Sequence, residues 1–196
     1  MIDTSYRHKF QPAFDIIAKK LAELNITPDF ITYSAFVLGI ASSVAIASGQ
    51  AAAAIALLWL SGLLDVLDGS VARLTGMSTK NGAYMDMILD RMVEAFFIFA
   101  LAYRYPEAYY AYMLFYIAVI FNFTTFIVAG ALFKNDSEKS MHYDVGIAER
   151  TETFIVFTML ATFTNYINQI LMVFNALIFM TGIIRFRKVL KYSHHK

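Results

Sequence analysis

The chain has 196 residues, of which 59% are hydrophobic and only 16% charged, and its mean hydropathy is +0.56. A soluble domain carries about 25% charged residues, so the composition excludes an ordinary soluble globule and indicates a single membrane domain. A net charge of +1 gives no bulk attraction to nucleic acid, and the absence of cysteine excludes a disulfide framework.

Residues 7–25 (RHKFQPAFDIIAKKLAELN) put Phe14, Ile17, Ala18, Leu21 and Leu24 on one helical face, with Asp15, Lys19, Lys20 and Glu23 elsewhere. That pattern predicts an amphipathic helix lying in the membrane interface; a helix docking on a partner protein would show the same spacing. The first 29 residues show no signal-peptide core or small-residue cleavage site, so insertion is expected to rest on the spans themselves. Six stretches are long and apolar enough to cross a hydrocarbon core of about 30 Å. They lie near residues 30–48, 51–73, 82–104, 108–133, 147–165 and 168–187, giving an all-α membrane protein of six transmembrane helices in one domain.

Lys and Arg set the expected orientation. With both termini cytoplasmic, the inner segments hold Arg7, Lys9, Lys19, Lys20, Arg73, Lys80, Lys134, Lys139, Arg150, Arg185, Arg187, Lys188, Lys191 and Lys196, and the outer turns hold only Arg104. The outer stretch 103–112 (YRYPEAYYAY) reads as an aromatic belt with a turn at Pro106.

Four aspartates interrupt this oily sequence. On the second span Asp65, Asp68 and Ala72 fall within about 60° of one another, because i, i+3 and i+7 share a helical face. On the third, Gly82, Asp86 and Asp90 are spaced by four and form another stripe. The connector, roughly residues 74–81, is short enough to make the two helices antiparallel neighbours, so the carboxylates are expected to converge near the cytoplasmic end. A carboxylate at the bilayer centre costs about 2.5–3.5 kcal/mol on insertion scales, so four imply a compensating partner. Arg73 offers one pairing, and Arg91 points about 100° away from its neighbour Asp90. Divalent cations answer better. The ligands are all hard oxygens, favouring Mg²⁺ or Mn²⁺ over Zn²⁺, and several carboxylates can hold two ions for displacement at phosphorus. Gly69, Ala72 and Gly82 leave room for a ligand there, or else serve close helix packing.

The run Asp65-x-x-Asp68-Gly69-x-x-Ala72-Arg73, eight residues, then Gly82-x-x-x-Asp86-x-x-x-Asp90 resembles at every fixed position the signature of the CDP-alcohol phosphatidyltransferases. Upstream, Ile26-Thr27-Pro28-Asp29-x-x-Thr32 is similar to the family's stretch before the first span, with Asp29 where Asn is common. The resemblance implies transfer of a substituted phosphoryl group from a CDP-alcohol to the hydroxyl of a second alcohol, with release of CMP. It implies one metal ion on Asp65, Asp68 and Asp86, a second held or approached by Asp65, Asp86 and Asp90, and Asp90 as general base. It places Gly69, Arg73 and Thr79 on the CDP moiety with Pro28, Asp29 and Thr32 nearby, Ala72 and Gly82 completing that set, and it implies a homodimer.

Lys134, Arg150 and Arg185 recur where the later spans meet the cytosol. Each suits ordinary positive-inside anchoring, yet together they suit an acceptor phosphate, with Arg offering paired donors and Lys a point charge. A phosphorylated acceptor such as glycerol 3-phosphate or inositol phosphate is expected on that ground; serine, free inositol or an aminoalcohol is the alternative. The donor is expected to be CDP-diacylglycerol or an ether-lipid equivalent. Two other function classes fit the sequence less well. A carboxylate-based ion transporter is disfavoured because the charges sit at one end of two helices and no internal repeat is present. A catalytically inactive lipid-binding protein is disfavoured because the signature is complete. His8, His142, His194 and His195 read as surface residues, and Glu149 and Glu152 suit the positive end of a helix.

Overall fold

In a computed structural model, residues 2–132 and 150–193 are described, with side chains for 11–132 and 151–191. Seven α-helices follow in order: α1 (Ile2–Glu23), α2 (Pro28–Ala47), α3 (Ala51–Thr75), α4 (Lys80–Arg104), α5 (Tyr109–Leu132), α6 (Arg150–Thr162) and α7 (Ile167–Ser193). Short 3₁₀ turns, Pro106–Ala108 and Thr164–Tyr166, lead into α5 and α7. The described residues contain no strand.

The turns at the site end are written in local chemistry. Asn25 takes a positive φ of 58°, and Ile26 N–H donates back to Leu21 O, closing α1. Thr27 then caps α2 by accepting from Phe30 N–H, with Pro28 in the first turn where its missing N–H costs nothing. Gly76, at φ 68°, ends α3, and Thr79 caps α4 by accepting from Gly82 N–H at 2.9 Å.

Helix α2 is the central post. Ser42 and Ser61 donate to Ala54 O and Ala35 O, both at 2.7 Å, stitching α2 antiparallel to α3. Such interhelical bonds in a membrane contribute about 0.6–1.7 kcal/mol each, where apolar contact alone gives helices little reason to associate. On its other side α2 meets α4, with Gly39 so close to Val93 that an added Cβ would stand 2.5 Å from Cγ2. Any side chain at position 39 would force these two helices apart.

Against expectation, α3 and α4 do not pack along each other; α2 packs against both. They do run antiparallel, since Asp29 lies by Gly82 and Gly39 by Val93, whereas Thr32 meets Asp68 and Ser42 meets Ala54. Aspartates meeting end to end need space, and backbones in ridge-and-groove contact leave none.

The remaining helices complete one core. Phe97 of α4 stacks on Phe157 of α6 at 4.9 Å, and Phe115 of α5 packs on both Phe157 and Phe174 of α7. Helix α1 packs through a separate small cluster, Ala18 with Ile31 of α2 and Val71 of α3. Arg91 of α4 lies by Phe123 of α5, Gly62 of α3 by Phe154 of α6, and Arg185 of α7 by Asn122 of α5. The C-terminal ends of α5 and α7 and the start of α6 therefore share the end of the bundle that carries the aspartates.

Four described segments are long and apolar enough to cross a membrane: Pro28–Ala47, Ala51–Thr75, Pro106–Leu132 and Thr164–Lys191. Helix α4 has the same 25 residues as α3 but carries Asp86, Asp90, Arg91 and Glu94, which lower its hydropathy. The described part of α6 has 13 residues, and the expected start of that span at 147–149 lies outside the described residues, as does residue 133.

Candidate active site

Asp65 and Asp68 leave α3 on one face, three residues apart, and Asp86 faces them from the first two turns of α4. One carboxylate oxygen from each lies within 4.8 Å of the other two. At an effective dielectric near 20, two unit charges at that spacing repel by about 3–4 kcal/mol. Asp68 is 6% exposed and accepts a 2.6 Å hydrogen bond from Thr32 Oγ1. Thr32 has one hydroxyl hydrogen and two acceptors in reach, Pro28 O at 3.0 Å and Asp68 Oδ2; the shorter, charged one is favoured. A hydrogen bond to a charged group contributes about 1.5–3 kcal/mol, less than the mutual repulsion of three carboxylates.

The donor set fits a hard divalent cation. Oxygens in an octahedral shell of radius about 2.1 Å stand roughly 3–4 Å apart, close to the spacing already present, and the cluster holds carboxylates only. Asp90 does not belong to this triad. Four residues beyond Asp86, it stands about 6 Å further along α4, the same direction that Asp65 takes from Asp68 on the antiparallel α3. The triad is the set expected for one ion; Asp90, expected at a second with Asp65 and Asp86, lies one turn further along α4.

Beside the triad opens a cavity of about 190 Å³. Its walls bring together all eight residues expected around a CDP-alcohol: Pro28, Asp29 and Thr32 from α2, Gly69, Ala72 and Arg73 from α3, Thr79 at the cap of α4, and Gly82 within it. Asp68 and Asp86 form part of the same lining. The two glycines keep it open: a Cβ on Gly69 would meet only Arg73 Nη1, at 3.3 Å, and one on Gly82 would crowd the Thr79 hydroxyl at 3.2 Å. Met77, Ser78 and Ala83 also line the cavity and were not anticipated. Their signal was positional, since Met77 and Ser78 lie between the two halves of the aspartate motif and Ala83 follows Gly82 within the second.

The basic residues divide. Arg91 turns away from the triad to pair with Glu94 at 2.6 Å, its Cζ 5.9 Å from the Phe123 ring. Glu94 is 5% exposed, so this pair contributes to α4 packing rather than to neutralising the triad. Arg185 donates through Nη1 to both the backbone and the side-chain oxygen of Asn122, and lies over Phe126 at 5.2 Å. Nothing in the sequence singled out Asn122 as its anchor. Lys134, the 134–146 loop, Glu149 and the side chain of Arg150 lie outside the described residues.

The model of the CDP-alcohol phosphatidyltransferase family matches residues 25–183, and the chain belongs to that family. It is 29% identical over 193 residues to the inner membrane protein YnjF of Escherichia coli (strain K12), covering 94% of this chain and 93% of that one. With the archaetidylinositol phosphate synthase of Methanothermobacter thermautotrophicus it shares 37% identity over 101 residues, 50% of each chain. The fold is that of the phosphatidylinositol phosphate synthase PgsA1 of Mycobacterium tuberculosis. Crystal structures of that protein with CDP-DAG bound, and in complex with manganese and citrate, superpose with a TM-score of 0.76 at 21% identity over 90% of this chain and 92% and 88% of those chains.

If the triad is the metal site, Asp65→Asn and Asp86→Asn each remove a ligand from a shared centre. Mn²⁺ should then raise the melting temperature of the wild-type chain and of neither variant. Full Mn²⁺ stabilisation in both variants would remove the metal from these residues.

Proposed function

We propose that this phosphatidyltransferase moves the phosphatidyl-type group of a CDP-lipid, diacyl or ether-linked, onto a hydroxyl of a phosphorylated inositol, with release of CMP. The observation that carries the donor half is the cavity in which Arg73, Thr79, Gly69 and Gly82 meet Asp68 and Asp86 of the carboxylate triad. The acceptor half is supported by the relatives that share about a third of their residues with this chain across half its length, among them the archaetidylinositol phosphate synthase.

The donor carries a diphosphate, and Arg73 at the cavity wall offers it a planar, charged donor pair. The Thr79 cap and the two glycines let that diphosphate approach the start of α4, where the helix dipole favours negative charge. Mg²⁺ or Mn²⁺ held by Asp65, Asp68 and Asp86 would supply the neutralisation that lets an anionic donor sit beside carboxylates; a second ion would draw on Asp65, Asp86 and Asp90. The acceptor oxygen forms its bond to the lipid-side phosphorus, and the bond from that phosphorus to the oxygen of CMP breaks. Asp90, one turn past the triad, takes the acceptor's proton.

The acceptor's own phosphate would be met by Arg185, already oriented by Asn122, together with Lys134 and Arg150, whose side chains lie outside the described residues. In the membrane the chain forms six spans, α4 running alongside the apolar α2. Both termini and the cavity face the cytosol, and two copies associate.

Two measurements test this. With purified chain, Mn²⁺ and labelled CDP-diacylglycerol, inositol phosphate should be the preferred acceptor in a panel with glycerol 3-phosphate, inositol and serine. Asp90→Asn should lower turnover by about 10²–10⁴ while CDP-lipid still binds. Efficient use of an unphosphorylated alcohol would reassign the acceptor, and loss of CDP-lipid binding in Asp90→Asn would make Asp90 a ligand rather than a base. For the topology, single cysteines at Ser48 and Asn165 should label only from the outer side and one at Ser78 only from the cytosol. Cytosolic labelling at position 48 would overturn the orientation.

A further inference from the structure

We propose that Ser70 and Gln11 are positioning residues for Arg73, so that α1, the helix expected at the membrane surface, sets the guanidinium with which the cavity meets its donor. The proposal rests on the donor role assigned to the cavity above.

Ser70 is 1% exposed and does not line the cavity, yet its hydroxyl is saturated. It donates to Val66 O at 3.1 Å, and accepts from Arg73 Nη2 at 3.1 Å and from Gln11 Nε2 at 3.3 Å. One donor and two lone pairs are all that a serine hydroxyl has. Arg73 therefore folds back along its own helix, Nη2 on Ser70 three residues earlier and Nη1 beside the bare Cα of Gly69, the direction long side chains take on a helix. A side chain at position 69 would crowd that path, and none at 70 would leave nothing to hold the guanidinium there.

Gln11 is fixed in turn. Its amide carries two hydrogens, one directed to Ser70 and the other to Asp15 Oδ1 at 2.7 Å, one turn along α1. The helix is seated on α3 by Ala18 against Ile31 and Val71. A continuous set of hydrogen bonds thus runs from Asp15 and Gln11 on α1, through a buried serine, to an exposed arginine at the cavity wall. Arginine is among the side chains with the most rotamer freedom to lose on binding. Holding it in place beforehand removes that cost from donor capture, which is what preorganisation means for affinity. Neither Ser70 nor Gln11 touches the cavity, so both must act through Arg73 if they act on the donor at all.

The test uses the full chain in lipid nanodiscs with CDP-diacylglycerol, reading donor KM, acceptor KM and kcat separately. Ser70→Ala and Gln11→Ala should each raise the donor KM by about three- to tenfold, the loss of one hydrogen bond to a charged or polar partner, with acceptor KM and kcat within about twofold. Ser70→Thr, which keeps the hydroxyl, should restore the donor KM. The deciding comparison is the double variant: in an Arg73→Ala background, Ser70→Ala should add nothing. If it multiplies the donor KM by the same factor with or without Arg73, the relay is overturned while the donor site stands. If Arg73→Ala itself leaves the donor KM unchanged, the donor role of the cavity fails and the relay falls with it. Should Ser70→Ala not fold, Gln11→Ala in the same two backgrounds decides the question alone.

Discussion

Repulsion among Asp65, Asp68 and Asp86 is the constraint around which the molecule is built. Three carboxylate oxygens within 4.8 Å of one another, at the end of otherwise apolar helices, would drive apart any pair of segments free to separate. They are not free. Helix α2 binds α3 through the two serine–carbonyl bonds and α4 through the Gly39–Val93 approach, so the acidic faces are presented to each other by a post that belongs to neither. The gap that α2 leaves between α3 and α4 becomes the cavity, and the Thr32 hydroxyl that steadies Asp68 comes from the same helix. Stability held elsewhere in the bundle is thus what permits an unfavourable charge cluster to exist, a division common at functional sites.

Much of the site was legible because helical periodicity is rigid. Residues at i and i+3 must share a face, so Asp65 and Asp68 could be paired from spacing alone, and the Gly82–Asp86 stripe likewise. Periodicity fixes direction around one helix and says nothing of the distance between two. That is why α3 and α4 were expected as antiparallel neighbours, whereas α2 packs against both. Nor does spacing reveal bonds between segments far apart in sequence: Ser70 to Gln11, or Arg185 to Asn122, depends on which faces the core turns together.

The membrane spans show the same limit in another form. Hydropathy recognises α2, α3, α5 and α7, whereas α4 must carry chemistry and apolar surface on one helix. Its Arg91–Glu94 pair and the aromatic contacts of Phe97 bury what they can, while Asp86 lines the cavity. A helix that serves a site in a membrane is expected to read poorly as a span for that reason.

The most direct test of the claim that the triad is a metal centre is anomalous diffraction at the manganese edge from crystals grown with Mn²⁺ and CDP-diacylglycerol. A peak is expected within about 2.0–2.3 Å of oxygens from Asp65, Asp68 and Asp86, with the donor diphosphate on the same ion and the Arg73 guanidinium beside it. A fully occupied donor with no anomalous peak at these three residues, or with manganese bound elsewhere, would contradict it.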